Sequence, residues 1–194
     1  MGVRRWTGTV VVCAGLVLLA LAGVPRSRGP EKAVAQADLG ARLAADPPVR
    51  PRPGTPIARL AIPRLGERWT VVEGVDAASI EDAPGHYPQT AVPGAVGNFA
   101  VAGHRVRGLF WDLDRLVPGD AVVVDYGRRT FTYTVTGARV VAPTAVEVLA
   151  PVPDRPDATA TAASLTLTTC EPKWSDDQRL VVHATLEPGE VPTT

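Results

Sequence analysis

Lysine is scarce in this chain: of its 20 lysine and arginine residues, only Lys32 and Lys173 are lysines. The basic residues are balanced by 20 aspartates and glutamates, so the 194-residue chain has a formal net charge of +0. A chain without a basic excess lacks the electrostatic attraction that carries proteins to nucleic acid. We therefore set nucleic-acid binding aside as the main function.

Several motifs that mark cofactor and metal enzymes are missing as well. The sequence has no glycine-rich phosphate loop, no Gly-x-Ser-x-Gly elbow and no dinucleotide-binding fingerprint. Its acidic, histidine and cysteine residues do not occur at the spacings typical of calcium or zinc sites. We therefore expect neither a cofactor nor a metal ion.

Cysteine occurs only as Cys13 and Cys170. Cys13 lies in an apolar run, from about residue 9 to residue 24, that follows Arg4 and Arg5. Basic residues before an apolar stretch are typical of a signal peptide or a signal anchor. The run is slightly shorter than the ~20 residues that span a bilayer comfortably. Residues 1–25 are therefore interpreted as one or the other, and both export the rest of the chain.

Export makes the remaining thiol unusual. Thiols outside the cytoplasm are normally paired, and Cys170 has no other cysteine that it can reach. An unpaired thiol in an exported protein indicates either an intermolecular disulfide or a reactive group. The presence of histidine and arginine elsewhere in the domain favours the reactive group.

Composition divides the exported part into three segments. Residues 26–56 are rich in proline and poor in large apolar side chains, which predicts an extended extracellular linker. A loose helical spacing of apolar residues over 31–45 allows one short helix within it. Residues 57–187 form the predicted catalytic domain, and residues 188–194 a flexible tail.

The catalytic domain has the pattern of a mainly β protein. Apolar and polar residues alternate in short segments bounded by turn residues. The predicted strands cover residues 59–62, 69–75, 97–103, 121–126, 130–135, 164–170 and 179–186. Short helices are expected near residues 77–82 and 110–116. Strands this short and numerous predict a closed or nearly closed antiparallel barrel.

The same alternation orients Cys170. Leu165 and Leu167 face the predicted core, so Cys170 projects from the opposite, polar face at the end of its strand. If the last two strands pair, Arg179 faces the same groove. Arg179 then either supports a thiolate and an oxyanion or forms a surface salt bridge.

A cysteine nucleophile needs a histidine or another cation nearby to become a thiolate. His104 follows a predicted strand beside a glycine, His86 lies in a turn-like loop, and His183 lies in the middle of a strand. The spacing favours His104 but leaves all three open. Trp174, between the last two strands, is either an apolar wall for a peptide or a cap on the core.

These residues together resemble the sortases, the membrane-anchored cysteine transpeptidases of Gram-positive cell surfaces. Residues 166–170, Thr-Leu-Thr-Thr-Cys, resemble the family's Thr-Leu-x-Thr-Cys signature, and Arg179 stands where its arginine follows. Residues 101–105, Val-Ala-Gly-His-Arg, resemble its histidine motif. Residues 85–88, 104–105 and 170–172 are similar to those of the class E enzymes of actinobacteria.

The resemblance implies an eight-stranded sortase-type barrel with one or two short helices. It makes Cys170 the nucleophile, His104 the acid/base group and Arg179 the group that positions substrate or stabilises the oxyanion. It leaves His86 and His183 with structural roles. It also implies that residues 142–164 border the groove near the nucleophile. We further expect the substrate-binding residues to be Thr169, Trp174 and Arg105.

The implied reaction is transpeptidation of a C-terminal sorting signal. Cys170 would cleave the Thr–Gly bond, and an amine of a peptidoglycan precursor would take the acyl group. The class E resemblance implies a Leu-Ala-x-Thr-Gly signal in place of Leu-Pro-x-Thr-Gly. The expected partners are proteins with such signals, the peptidoglycan amine and the cytoplasmic membrane, with the catalytic domain outside the cell.

Three alternatives remain open from the sequence. A cysteine peptidase would resolve the thioester with water, and a pilin-polymerising enzyme would use a lysine amine. An exported barrel that only binds wall components would not use Cys170 at all.

Overall fold

The structure, a computed structural model, describes residues 29–187. The predicted signal segment, residues 1–25, and the predicted tail, residues 188–194, lie outside the described residues. Within the described part of the chain, no helix is both long enough and apolar enough to cross a membrane.

One α-helix, α1, precedes a barrel of eight strands in this part of the chain. The helix is Gly29–Arg42, and the strands are β1 Pro56–Ile62, β2 Glu67–Glu73, β3 Gly85–His86, β4 Gly97–Ala102, β5 Ala121–Tyr126, β6 Arg129–Val141, β7 Ala163–Glu171 and β8 Gln178–Leu186. Short 3₁₀ helices cover Pro63–Leu65, Phe110–Arg115 and Val146–Leu149. The predicted mainly β, eight-stranded barrel is confirmed.

The barrel closes in the order β1-β2-β3-β4-β7-β8-β6-β5. Most neighbours are antiparallel, but β4 pairs with β7, and β2 with β3, in parallel. The expectation of a purely antiparallel barrel is therefore wrong, because alternation along a strand does not reveal the direction of its partner. The two-residue strand β3, which the sequence suggests to be a turn-like loop, joins β2 to β4.

The helix expected near residues 77–82 is a turn instead. Asp76 accepts hydrogen bonds from the backbone N–H of Ser79 at 3.1 Å and from its hydroxyl at 2.6 Å. A side chain that satisfies a nearby N–H in this way competes with helix formation. The other expected helix exists as the 3₁₀ helix Phe110–Arg115.

The core lies inside the barrel, where inward-facing side chains of seven strands and of the segment 109–116 meet. Leu165 and Leu167 of β7 are fully buried there, as their alternation predicts. The burial of Leu165 and Leu167 therefore determines which side chains of β7 point away from the core.

α1 packs against the outside of the barrel. The Gln36 side chain donates to the carbonyl of Asp82 at 2.8 Å, and Lys32 donates to the carbonyl of Glu81 and to the Asp82 carboxylate. Leu39 is buried against the barrel in a small apolar cluster. Over Gly29–Arg42, the proline-rich segment is thus a docked helix and not extended chain. This helix overlaps residues 31–45, where the spacing of apolar residues allows one.

Candidate active site

Pairing between strands brings the three predicted catalytic residues to one end of the barrel. In the parallel β4–β7 pair, Ala102 lies opposite Thr168, so His104 and Cys170 each follow two residues later. In the antiparallel β7–β8 pair, Cys170 lies directly opposite Arg179. Directly opposed residues point to the same face of a sheet. Cys170 therefore lies between the strand that leads to His104 and the strand that carries Arg179.

Cys170 is a free, half-buried thiol at the end of β7. It lies on the outer face of the barrel, opposite the core-facing Leu165 and Leu167. The backbone carbonyl of Cys170 accepts a hydrogen bond from Arg105 at 3.1 Å. The side chain can thus be reached from solvent while the backbone beneath it is held in place.

His104 is exposed in the segment that follows β4. Partial desolvation lowers the pKa of His104 from its usual value, and the positive charge of Lys32 lowers that pKa further. The negative charge of Glu81 opposes both effects. The backbone carbonyl of His104 accepts a hydrogen bond from Phe110 at 3.2 Å, which ties the histidine to the 3₁₀ helix.

Gly103 allows this segment to approach the core. A Cβ atom at Gly103 would lie 2.7 Å from the buried ring of Phe110. Real Cβ contacts are essentially never that short, so glycine is required here by space and not by an unusual backbone angle. The residue before His104 is therefore packed tightly against the barrel.

Thr169 lies on the core-facing side of β7 and is buried. Its hydroxyl donates to the Gly103 carbonyl at 2.7 Å. This hydrogen bond joins the strand of the nucleophile to the segment that carries His104. The predicted contact of Thr169 with substrate stays a prediction, whereas its role in positioning His104 follows from the geometry.

Arg105 is 5% exposed and its guanidinium lies beneath the site. Besides the Cys170 carbonyl, it binds the Glu171 carboxylate and lies 3.2 Å from a carboxylate oxygen of Asp114. These contacts occupy N–H donors of the guanidinium that would otherwise be free to bind a substrate. In this geometry Arg105 holds the end of β7, and its predicted contact with substrate stays untested.

Arg179 is half-buried, and its side chain turns toward the loop between β7 and β8. Nη1 donates to the backbone carbonyls of Asp176 and Gln178 at 2.7 and 2.8 Å. Within the described residues, Arg179 forms no salt bridge with a carboxylate. The structure therefore does not support the alternative role of Arg179 in a surface salt bridge. Since a guanidinium has five donors, this anchoring leaves others to contact a substrate.

Trp174 is 81% exposed, which rules out its alternative role as a cap on the core. Its ring packs edge-on against Trp111, with centroids 4.6 Å apart. The cationic groups of Lys173 and Arg107 lie over the Trp111 ring at 4.9 and 5.2 Å. Trp111 is half-buried and comes from a distant part of the sequence, so only the fold reveals this aromatic pair.

The segment 142–162 begins beside the site, because Val141 pairs with Arg179. It then crosses the outer face of the sheet, where the buried side chain of Asn98 donates to the carbonyls of Val148 and Ala150, each at 3.1 Å. Asn98 belongs to no motif, so its role is evident only in the fold. A cavity of about 550 Å³ opens farther along, between residues 151–164 and β8, at the end of β7 remote from Cys170.

The other two histidines are held in buried networks away from Cys170. In His86, Nδ1 lies 2.9 Å from a carboxylate oxygen of Glu73. In His183, Nδ1 lies 3.0 Å from the Thr166 hydroxyl, and burial lowers the pKa of this histidine while Asp154 opposes the shift. Both positions fit structural roles.

Comparison with known proteins places these features in a family context. A family model described as a sortase domain matches residues 60–187. Sortase SrtE1 of Streptomyces coelicolor is 36% identical over 140 residues, which make up 67% of this chain and 40% of that protein. The chain spans between 40 and 53% of the length of the curated relatives that it matches.

Solved structures give the same picture. Sortase E from Streptomyces avermitilis is 42% identical, with a TM-score of 0.62 over 70% of this chain and 90% of that chain. The structure of sortase E1 from Streptomyces coelicolor with a tripeptide in its active site is 33% identical, with a TM-score of 0.65. That alignment covers 71% of this chain and 91% of that chain. These similarities favour class E within the family.

Proposed function

This chain belongs to the sortase family, and from that premise we propose that it is a cysteine transpeptidase acting on C-terminal sorting signals. The observation that carries the proposal is the strand pairing around Cys170. A free thiol lies directly opposite an arginine on one side, and the segment that carries a histidine follows the neighbouring strand on the other. Nucleophile, acid/base group and cation are the parts that acyl transfer through a thioester requires.

The proposed first step is attack by the Cys170 sulfur on the threonine carbonyl of the signal. A carbon–sulfur bond forms, the Thr–Gly bond breaks, and the proton lost by the Cys170 thiol passes through His104 to the departing glycine amine. Arg179, opposite the sulfur, stabilises the oxyanion or holds a substrate carbonyl. In the second step an amine attacks the thioester, His104 takes its proton, and the thiol is released.

We propose a signal of the Leu-Ala-x-Thr-Gly type as the substrate and a peptidoglycan precursor as the source of the amine. Similarity to class E enzymes supports the choice of signal, and the relative solved with a tripeptide in its active site supports a peptide ligand. The exposed Trp174, packed against the half-buried Trp111, offers an apolar wall beside the β7–β8 loop. The segment 142–162, which begins next to Arg179, would border the peptide on the other side.

We further propose that residues 1–25 attach the chain to the cytoplasmic membrane, or direct its export, so that the catalytic domain works outside the cell. The two arginines and the apolar run of this segment support the proposal. Fractionation of cells expressing the full chain tests it. Recovery of the protein in the cytosol would contradict it.

A peptide assay tests the proposed reaction. A fluorogenic Leu-Ala-x-Thr-Gly peptide is mixed with the protein, with and without an amine acceptor, and the products are analysed by mass spectrometry. An acyl–amine adduct supports transfer, whereas a cleaved acid as the sole product would replace transfer by hydrolysis. Cys170→Ala and His104→Ala should abolish turnover and Arg179→Ala should reduce it strongly. The matched control Arg128→Ala removes an exposed arginine from the β5–β6 turn and should not change turnover.

A further inference from the structure

α1 reaches the active site from outside the barrel. A cavity of about 180 Å³ lies between the helix and the segment after β4, lined by Lys32 from α1, Ala77 and Glu81 from the turn before β3, and His104 and Val106. The predicted acid/base group and a lysine of the N-terminal helix thus face one small space. Nothing in the reaction proposed above uses this lysine.

Lys32 is fixed in this position. The residue is 8% exposed, and its ammonium group donates to the Glu81 carbonyl and to the Asp82 carboxylate. The hydrogen bonds of Gln36, one turn farther along the helix, hold α1 in register with the same turn. The charge therefore cannot swing into solvent while the helix is docked.

The chemical type of this residue is informative. In a chain in which nearly all basic residues are arginines, only Lys32 and Lys173 are lysines. A compact ammonium group with three donors suits a narrow space in which a carbonyl and a carboxylate converge, and a planar guanidinium fits such a space less closely. The site thus favours a point charge next to His104.

We propose that Lys32 is a positioning residue of the active site, whose buried ammonium group disfavours the charged form of the His104 imidazole. The proposal relies on the proposed function for the role of His104. Because Lys32 is buried, water screens its positive charge less than it would an exposed charge, while the exposure of His104 leaves the interaction sensitive to salt. The carboxylate of Asp82 that pairs with Lys32 is 48% exposed, so water screens its charge more effectively.

The other charged and titratable groups around His104 determine in which direction each substitution should shift the pKa of His104. Glu81 lines the same cavity as His104, from the turn, while Cys170 and Arg179 lie opposite each other on β7 and β8. Burial disfavours the imidazolium and lowers the pKa of His104, the charge of Lys32 lowers that pKa further, and the charge of Glu81 raises it. Removing the lysine charge should let His104 keep its proton to a higher pH, and removing the glutamate charge should do the reverse.

The test is an NMR titration of the full-length chain labelled in its histidine rings. The chain contains three histidines; the His104 signal is the one lost in His104→Gln, and His86 and His183 serve as internal references. Lys32→Met should raise the pKa of His104 relative to the wild type. Lys32→Arg, which keeps the charge, should leave a value closer to the wild type, and Glu81→Gln should lower it.

Two controls separate charge from loosening of the helix. Arg42→Gln removes an exposed cation from the end of the same helix, where it pairs with Asp38, and should leave His104 unchanged. Added salt should shrink the difference between Lys32→Met and the wild type. If Lys32→Met does not fold, as judged by circular dichroism, Lys32→Gln, which removes the charge but keeps a hydrogen-bond donor, takes its place. Its pKa shift for His104 must be upward.

The proposal is overturned if the titration of His104 is the same in Lys32→Met and the wild type. It is also overturned if Lys32→Met and Glu81→Gln shift the pKa in the same direction, because loosening of the structure would explain that result. In the active enzyme, the limb of the kcat/KM profile that reports His104 should move to higher pH in Lys32→Met. The titration itself does not require catalysis. A shifted pKa in a protein that transfers no peptide would refute the proposed function and leave this inference standing.

Discussion

Replacing Gly103 by alanine tests how tightly the segment that carries His104 is held against the core. The added Cβ would lie 2.7, 2.9 and 3.0 Å from three atoms of the Phe110 ring, which is fully buried. Because the ring is enclosed by the core, it cannot turn away without displacing its neighbours. The backbone at Gly103 does not have a positive φ, so the cost comes from overpacking alone.

Overpacking of a well-packed core by one methyl group costs about 1–3 kcal/mol. For a domain of this size, each kcal/mol lowers the melting temperature by roughly 2–4 °C. The Gly103→Ala variant should therefore melt several degrees below the wild type. Its kcat/KM should fall by more than the loss of folded protein explains, because the strain lies next to His104 and the carbonyl of His104 bonds to Phe110.

Gly137→Ala is the matched control. Gly137 lies in β6, and a Cβ there would have no heavy atom within 4 Å. Where a new side chain causes no strain, replacing glycine by alanine stabilises a folded protein by about 0.4–1 kcal/mol, because it lowers the conformational entropy of the unfolded chain. Urea unfolding and the peptide assay measure both variants. Equal stability and activity of Gly103→Ala and the wild type would refute the packing that we describe around His104.

Three further substitutions test individual residues. Thr169→Val removes the buried donor to the Gly103 carbonyl, and urea unfolding should show that the free energy of unfolding falls by about 1–3 kcal/mol. Thr169→Ser keeps the hydroxyl and should largely restore that free energy, so equal losses in both variants would contradict this role. Arg105→Met removes the guanidinium that holds the Cys170 carbonyl and should lower the free energy of unfolding by up to about 3 kcal/mol, since the carboxylate partners of Arg105 are partly solvated. A stable, fully active variant would exclude a positioning role. Trp174→Ala removes an exposed ring and should change stability by less than about 0.5 kcal/mol while raising KM for the peptide; an unchanged KM would exclude contact with substrate.

The sequence predicts the regular strands well because their alternation is strong. β5 has the predicted bounds, and β7 extends the prediction by one residue at each end. β3 was missed because a two-residue strand carries no periodicity of its own. The parallel pairing of β4 with β7 was missed too, since pairing direction depends on the path of the connecting chain.

For the candidate site, the sequence identifies the reacting groups but not their supports. Cys170, His104 and Arg179 stand out through residue type and motif. Thr169 and Arg105 belong to the same motifs, yet only the coordinates show that they hold backbone atoms of the site. Long-range neighbours such as Trp111 leave no local signal, because their partners lie far away in the sequence.

The contribution of α1 was equally invisible in the sequence. Its proline-rich surroundings indicate an extended linker, and a 14-residue helix of modest amphipathicity is marginal in isolation. Packing of Leu39 and the hydrogen bonds of Lys32 and Gln36 to the barrel stabilise it instead. Tertiary contacts thus decide the structure of this segment, and they bring Lys32 to His104.

Trapping the acyl-enzyme tests most directly whether Cys170 is the nucleophile. The protein is mixed with a Leu-Ala-x-Thr-Gly peptide without acceptor, quenched with acid within one turnover, and analysed by intact and peptide mass spectrometry. We predict an adduct with the mass of the acyl part, located on Cys170, absent from Cys170→Ala and discharged by an added amine. Peptide cleavage that proceeds without such an adduct, or with an adduct on another residue, would contradict the account.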